Sequence, residues 1–166
     1  MTNQEQKIIE MISEFAEKLP IFPDGRINYT NSDTSLVLTV FIKYKDKILI
    51  LKRSNRVGNY PGKWNTVTGY LDETKPLIEK IMDEIQEEIG IKKDNILSHS
   101  LGEIFKFRDQ KAKKTWIVHP AKVELKKKPD IKLDWEHTEY KWIKPEELKK
   151  FDTVPRLDLS LKKGLI

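Results

Sequence analysis

One segment, residues 76–89, restricts the fold of this chain more than any other. Its isoleucines recur every three or four residues, which predicts a helix with one apolar face along positions 78, 81, 85 and 89. Pro76 suits the first helical turn, and Gly90 stands where a C-terminal cap belongs. The opposite face of the predicted helix is acidic and carries Glu84, Glu87 and Glu88.

Runs of β-branched and apolar residues predict the strands. Residues 36–43 and 47–52 flank a polar turn and predict one hairpin, while residues 101–107 and 115–125 predict a second. Pro120 implies that its strand lies at a sheet edge or carries a bulge there. A last short strand is predicted at 140–143, followed by a helix that begins at Pro145.

The N-terminal residues 1–34 are predicted to form a helix and a connecting arm. Residues 3–19 place apolar side chains at helical spacing, so they predict an amphipathic helix that Pro20 stops. The turn-rich stretch that follows places the domain boundary before residues 35–166, the main domain. For the helix to be stable in water, its apolar stripe must be buried against the domain or against a second subunit. The second possibility leaves a homodimer open.

Composition narrows the function classes. The 166 residues include no cysteine, which excludes disulfides, thiol nucleophiles and thiolate metal sites, so any metal must be held by oxygen or imidazole. No apolar run is long enough to span a bilayer and the N-terminus is unlike a signal peptide, so we expect a cytoplasmic protein without a membrane partner. The net charge of +5 comes mostly from scattered lysines, which disfavours nucleic acid as a partner.

Three carboxylates share one patch of the helix predicted at 76–89. At about 100° per residue, Glu84 and Glu88 lie about 40° apart, with Glu87 about 60° from Glu84 on the other side. Like charges at this spacing cost a free helix a few tenths of a kcal/mol per pair, and a divalent cation would relieve that cost. Mg²⁺ prefers carboxylate oxygens and keeps waters for substrate phosphates, so the patch suits phosphate chemistry. A solvated acidic helix face is the alternative interpretation of these three residues alone.

The sequence around the patch favours the metal site. Residues 69–91 resemble the Nudix box, G-x5-E-x7-R-E-U-x-E-E-x-G-U, in which U is apolar. The register holds without a gap, and the matching positions are Gly69, Glu84, Ile85, Glu87, Glu88, Gly90 and Ile91. Lys75 stands where the first Glu is usual, and Asp83 stands where Arg is usual. If the usual Glu and Arg form an ion pair, this chain keeps the pair with its charges reversed.

The resemblance covers about residues 35–151 and implies a fold and a metal site. The implied fold is a Nudix-like α/β/α sandwich with a mixed β-sheet, to which the N-terminal amphipathic helix is added. The implied metal is Mg²⁺ or Mn²⁺, held by the carboxylates of the box and the Thr68 carbonyl. Glu87 is predicted to take the proton of the attacking water, and Glu84 is the second catalytic candidate. Some family members use an acid outside the box, for which Glu136 and Glu139 are the alternatives here.

Candidate substrate contacts lie beside the box. The Arg53 guanidinium is suited to phosphate oxygens, although a structural ion pair is equally consistent with an arginine at a strand end. Trp64 and Tyr70, together with Phe105 and Trp116, would offer a stacking surface for a base or belong to the core and its rim. His119 lies in a strand pattern and is predicted in the core.

The implied function is divalent-metal-dependent hydrolysis of a diphosphate linkage in a nucleoside diphosphate derivative, a small nucleotide-like substrate. Two alternatives stay open. A non-catalytic Nudix-like nucleotide-binding module is favoured by Lys75 and Asp83, the two departures from the box. A prenyl-diphosphate isomerase on the same fold is disfavoured because the chain has no cysteine.

Overall fold

The computed structural model describes residues 2–165 of the chain. Three α-helices and eight strands follow one another as α1 (Asn3–Lys18), β1 (Thr34–Tyr44), β2 (Lys47–Arg53), β3 (Trp64–Asn65), β4 (Val67–Tyr70), α2 (Leu77–Ile89), β5 (Ile96–Leu101), β6 (Phe105–Asp109), β7 (Lys114–Leu125), β8 (His137–Ile143) and α3 (Leu157–Gly164). Short 3₁₀ helices cover Lys93–Asn95 and Pro145–Lys150. Within these residues, no helix combines the length and apolarity that a membrane crossing requires.

The sheet is mixed, as the resemblance implies. Its centre is the parallel pair of β1 and β7, which runs without a register shift from Thr34 and Thr115 to Lys43 and Glu124. The remaining pairs are antiparallel: β1 with β2 and β4, β2 with β3 and β8, and β7 with β5 and β6. This arrangement sets β4 beside the middle of β1, directly before the chain enters α2.

Helices cover both faces of the sheet, which confirms the predicted α/β/α sandwich. Alternate side chains of β1 separate to the two faces, because successive residues of a strand point in opposite directions. One face packs against α1 and α2 through Ile8, Ile12, Ile81, Ile85 and Ile89. The other packs against α3 and the 3₁₀ helix at Pro145–Lys150 through Leu148, Leu157 and Leu161.

The N-terminal helix α1 is confirmed, and its apolar stripe lies on the domain. Thr2 caps it, accepting a hydrogen bond from the Glu5 N–H, while the Glu5 side chain accepts one from the Thr2 N–H. Ile8 and Ile12 are buried in the same cluster as the α2 isoleucines. At roughly 1.5–3 kcal/mol for a fully buried isoleucine, these contacts stabilise the docked helix more than its cap does.

The prediction of one strand over 101–107 is wrong, because two strands meet β7 there. β5 ends at Leu101, and β6 begins at Phe105. Gly102 turns the chain between them beneath the end of α3, where a β-carbon would lie 3.0 Å from the Gly164 Cα and closer still to the Lys163 carbonyl. Only glycine allows this close approach.

The prediction that Pro120 marks a sheet edge or a bulge is wrong about the edge, but the pairing of β7 is interrupted on one side at this residue. β7 has neighbours on both sides, and Pro120 pairs with Thr39 of β1 without a shift. The Pro120 carbonyl accepts a hydrogen bond from the Gly102 N–H at 2.8 Å. Because the N and C=O of a strand residue point the same way, the Pro120 nitrogen faces the break between β5 and β6, and the sheet loses no ladder bond.

His119 lies in the core, as predicted, and is neutral there. It is fully buried on β7, and neither ring nitrogen has a hydrogen-bond partner among the described residues. Burial lowers the pKa of His119 from 6.5 to about 4. Protonating this ring in the folded state would place an unpaired charge in an apolar cluster.

We expect the free energy of unfolding to fall as the pH drops from about 6.5 toward 4. In this window the unfolded chain gains a proton on His119 that the folded chain resists, and the loss at pH 4.5 is on the order of 2–3 kcal/mol. His119→Leu has a similar volume and no titrating ring, so urea unfolding of both proteins at pH 7 and 4.5 isolates this residue. The same pH dependence in wild type and variant would contradict the assignment.

Candidate active site

A cavity of about 550 Å³ opens beside the β4 strand and the α2 helix. Its lining includes Glu84 and Glu87 of α2, the Thr68 and Gly69 segment of β4, and Arg53 at the end of β2. Glu136, from the loop before β8, reaches the same cavity. The fold therefore brings most of the predicted site residues to one place.

Gly69 leaves room for the Glu84 carboxylate beside β4. A β-carbon at this position would overlap the Glu84 carboxylate, 2.8 Å from Oε2 and closer still to Oε1. Any other residue would displace the Glu84 carboxylate from this position. Burial raises the pKa of Glu84, against the lowering effect of the nearby Lys80. The position of the Glu84 carboxylate therefore requires a glycine at residue 69 of this chain.

Glu88 is the most deeply placed carboxylate of the site. It is 3% exposed, and its Oε2 accepts a hydrogen bond from the Thr68 N–H at 3.2 Å. Because the N–H and C=O of one strand residue point to the same side, the Thr68 carbonyl also faces α2. Burial and the neighbouring Glu84 and Glu136 carboxylates raise the pKa of Glu88 well above its usual range.

Sequence analysis missed His137, which joins Glu88 and Glu136. One ligand atom from each of these three residues lies within 4.8 Å of the others. Burial lowers the pKa of His137, which keeps its imidazole neutral and able to donate a lone pair to a metal. The His137 Nδ1 lies 3.1 Å from Asp134, and this contact holds the ring orientation. Glu136 and His137 are consecutive in the sequence, and this is the only sequence feature that could have indicated His137 as a site residue.

The oxygen-rich donor set fits a hard divalent cation. Glu84, Glu87 and Glu88 come from one helix, Glu136 comes from the opposite loop, and the Thr68 carbonyl adds a neutral oxygen. Carboxylates packed this closely repel one another, and a cation among them would offset that repulsion. Burial is the main cause of the raised pKa values of Glu84 and Glu88, and neighbouring carboxylates add to it.

Two lysines accompany the acidic residues. Lys75 pairs with Asp83, so the two departures from the box form the reversed ion pair that the sequence predicted. Lys80, which the sequence analysis did not single out, is buried and lies 3.0 Å from Glu84 and 3.1 Å from Asp72. Burial opposes the charged form of Lys80, but the two carboxylates outweigh it and its pKa is raised.

Arg53 and a group of aromatic side chains form the other walls. The Arg53 Nε donates to the Asn59 carbonyl at 2.9 Å, which leaves the outer part of the guanidinium toward the cavity. Tyr70 is 40% exposed, stacks on Tyr29 at 5.5 Å and lies 6.3 Å from Trp116. Trp135, which sequence analysis did not single out, also lines the cavity and is 55% exposed.

Two of the predicted residues lie elsewhere. Trp64 is buried on the face of the sheet that packs against α3, where its ring meets Phe151 edge to face at 5.4 Å. Glu139 is exposed on β8, opposite Lys52, and is not among the residues that line the cavity. Position along the strand decides both outcomes, since neighbouring strand residues point to opposite faces.

Comparison with known proteins identifies the family of this chain. The chain matches the NUDIX domain family over residues 34–163. It is 28% identical over 141 residues to the nucleoside triphosphatase NudI of Klebsiella pneumoniae subsp. pneumoniae, covering 78% of this chain and 96% of that protein. Its match to NudI of Salmonella newport is 28% over 127 residues, covering 71% of this chain and 88% of that protein.

Solved structures share the fold. The MutT protein from Methanosarcina mazei Go1 has a TM-score of 0.65 at 22% identity, covering 80% of this chain and 93% of that one. A C. elegans Ap4A hydrolase has a TM-score of 0.61 at 20% identity, covering 78% and 93% respectively. The family match spans most of the chain, and the chain belongs to the Nudix family of pyrophosphohydrolases.

Proposed function

We propose that this protein hydrolyses a diphosphate linkage in a nucleoside diphosphate derivative and depends on a divalent metal ion. The observation that carries the proposal is the meeting of Glu84, Glu87 and Glu136 in one cavity, with buried Glu88 behind them against Thr68. A solvated acidic helix face would leave such carboxylates apart in water. Here Glu84 and Glu88 are held against a strand. Glu88 has no lysine beside it within residues 2–165, so its buried charge is costly without a metal ion.

Glu84, Glu87 and Glu88, with the Thr68 carbonyl, would hold Mg²⁺ or Mn²⁺. When bound, the ion activates water at neutral pH and neutralises charge that grows on the phosphate oxygens. Water adds its oxygen to one phosphorus, the bridging P–O bond breaks, and the departing phosphate takes the electron pair. Glu84 and Glu87 line the cavity from the α2 side and would fix where this exchange occurs.

Glu87 is the proposed general base. Among the three box carboxylates, it is the one exposed to solvent while lining the cavity, so a water molecule can reach it. Glu136 is the alternative, on the opposite wall beside Arg53. Glu139 is a weaker candidate for the general base, because it is not among the residues that line the cavity.

The remaining walls suit a nucleotide. Arg53 can bind phosphate oxygens through two guanidinium N–H groups, which a lysine cannot do in the same plane. Tyr70 and Trp116 offer aromatic faces near it for a base. The curated relatives are named nucleoside triphosphatases, which makes a nucleoside triphosphate the first derivative to test.

A hydrolysis screen tests the proposal. The full chain is incubated with nucleoside triphosphates, dinucleoside polyphosphates, ADP-ribose and nucleotide sugars, with Mg²⁺ or with EDTA. We expect Mg²⁺-dependent release of phosphate or pyrophosphate from at least one of these. Tight nucleotide binding with no turnover on any substrate would instead favour the non-catalytic module.

We expect Glu87→Gln and Glu88→Gln to lower the hydrolysis rate at least about a hundredfold, because each removes an anionic oxygen from the metal site. Metal-free stability should stay equal or rise, since each change also removes a charge from a crowded cluster. Glu79→Gln is the matched control, an exposed change in the first turn of the same helix. Steady-state kinetics at saturating Mg²⁺ and thermal unfolding in EDTA measure both effects. Rates near wild type in either site variant would refute the metal-site assignment.

A further inference from the structure

Lys80 occupies an unusual position for a lysine. It lies on the buried side of α2 with Leu77 and Ile81, and it lines the cavity. Its Nζ is 3.0 Å from Glu84 Oε1 and 3.1 Å from Asp72 Oδ1, with Glu73 farther away at 3.9 Å. Lysines are rarely this buried unless they are paired, and this one is paired twice.

The pairing changes the charge of the site before any metal arrives. Glu84 would otherwise stand close to Glu88 and Asp72 with no cation beside it, and burial already disfavours its charge. The ammonium of Lys80 offsets the charge of Glu84 and Asp72 together. Glu87, Glu88 and Glu136 have no such lysine contact among the ion pairs of residues 2–165.

We propose that Lys80 is a built-in cation of the metal site. It holds the Glu84 carboxylate over Gly69 in the metal-free protein and weakens divalent-ion binding at the Glu84 end of the cluster. The inference rests on the proposed function, because it assumes that a divalent ion binds these carboxylates. Lys80 is a positioning residue that acts through Glu84.

Two physical effects explain why Lys80 would weaken the binding of a divalent ion. The ammonium already uses a Glu84 oxygen that a metal ion would take, so the ion must displace or share that contact. The positive charge of Lys80 also repels a second cation, and the buried site screens that repulsion less than water does. Both effects oppose metal binding, while the same contacts stabilise the metal-free fold.

Lys80→Met removes the charge and keeps an unbranched side chain of similar length. We expect its Mn²⁺ affinity to be at least about tenfold tighter than that of the wild type, measured by electron paramagnetic resonance of free Mn²⁺. In EDTA its melting temperature should be lower, because Glu84 and Asp72 lose their partner. Added Mn²⁺ should then raise the melting temperature more than it does in the wild type.

Lys75→Met is the matched control. It removes the same charge from the same acidic region, but Lys75 pairs with Asp83 and not with Glu84. Its Mn²⁺ affinity should stay within about threefold of the wild type, because Lys75 is only half-buried and water screens its charge more than that of the buried Lys80. Lys80→Gln keeps a hydrogen-bond donor but not the charge, and we expect the same gain in Mn²⁺ affinity from it. This variant keeps the test decisive if Lys80→Met folds poorly.

The outcomes separate the two claims. Equal Mn²⁺ affinity in the wild type and both Lys80 variants would overturn the role of Lys80 and leave the proposed function standing. An equal gain in Lys75→Met would also overturn it, since net charge alone would then explain the effect. No Mn²⁺ binding by any of the proteins would contradict the proposed function and the inference together. A Lys80→Met protein that folds only with Mn²⁺ supports the inference.

Discussion

The contact between α2 and β4 is the constraint on which the site depends. On one side of α2 the isoleucines pack into the core, which fixes the rotation of the helix. That rotation sends Glu84 over Gly69 and Glu88 to the Thr68 backbone. The same packing that stabilises the fold therefore places the carboxylates near one another. Lys80 offsets part of their repulsion, and we propose that a metal ion offsets the rest.

The far wall of the cavity is held by a second polar network. Asp109, at the end of β6, is buried and accepts hydrogen bonds from Tyr60 at 2.7 Å and from Trp116 at 3.1 Å. These contacts tie the loop after β2 to the hairpin of β6 and β7. The aromatic wall near Tyr70 is thereby set by the fold, which suits the nucleotide that we propose as the substrate.

Sequence patterns predicted what depends on local spacing. The isoleucine stripe of α2, the Gly90 cap and the α1 helix all follow from residues a few positions apart, and the structure has them. The break between β5 and β6, the interior place of Pro120 and the inward turn of Trp64 depend on partners far along the chain. His137 was missed because its approach to Glu88 depends on the tertiary fold. Lys80 could have been found from the sequence, since it stands four residues before Glu84, a spacing that predicts contact on a helix.

Locating a bound ion tests the central claim most directly. Crystals of the full chain soaked in Mn²⁺ and measured at the manganese absorption edge would show the ion by its anomalous scattering. We predict a peak bounded by box carboxylates, with the Thr68 carbonyl or Glu136 completing the oxygen ligands. Well-ordered Glu87 and Glu88 side chains with no anomalous peak beside them, at millimolar Mn²⁺, would contradict it.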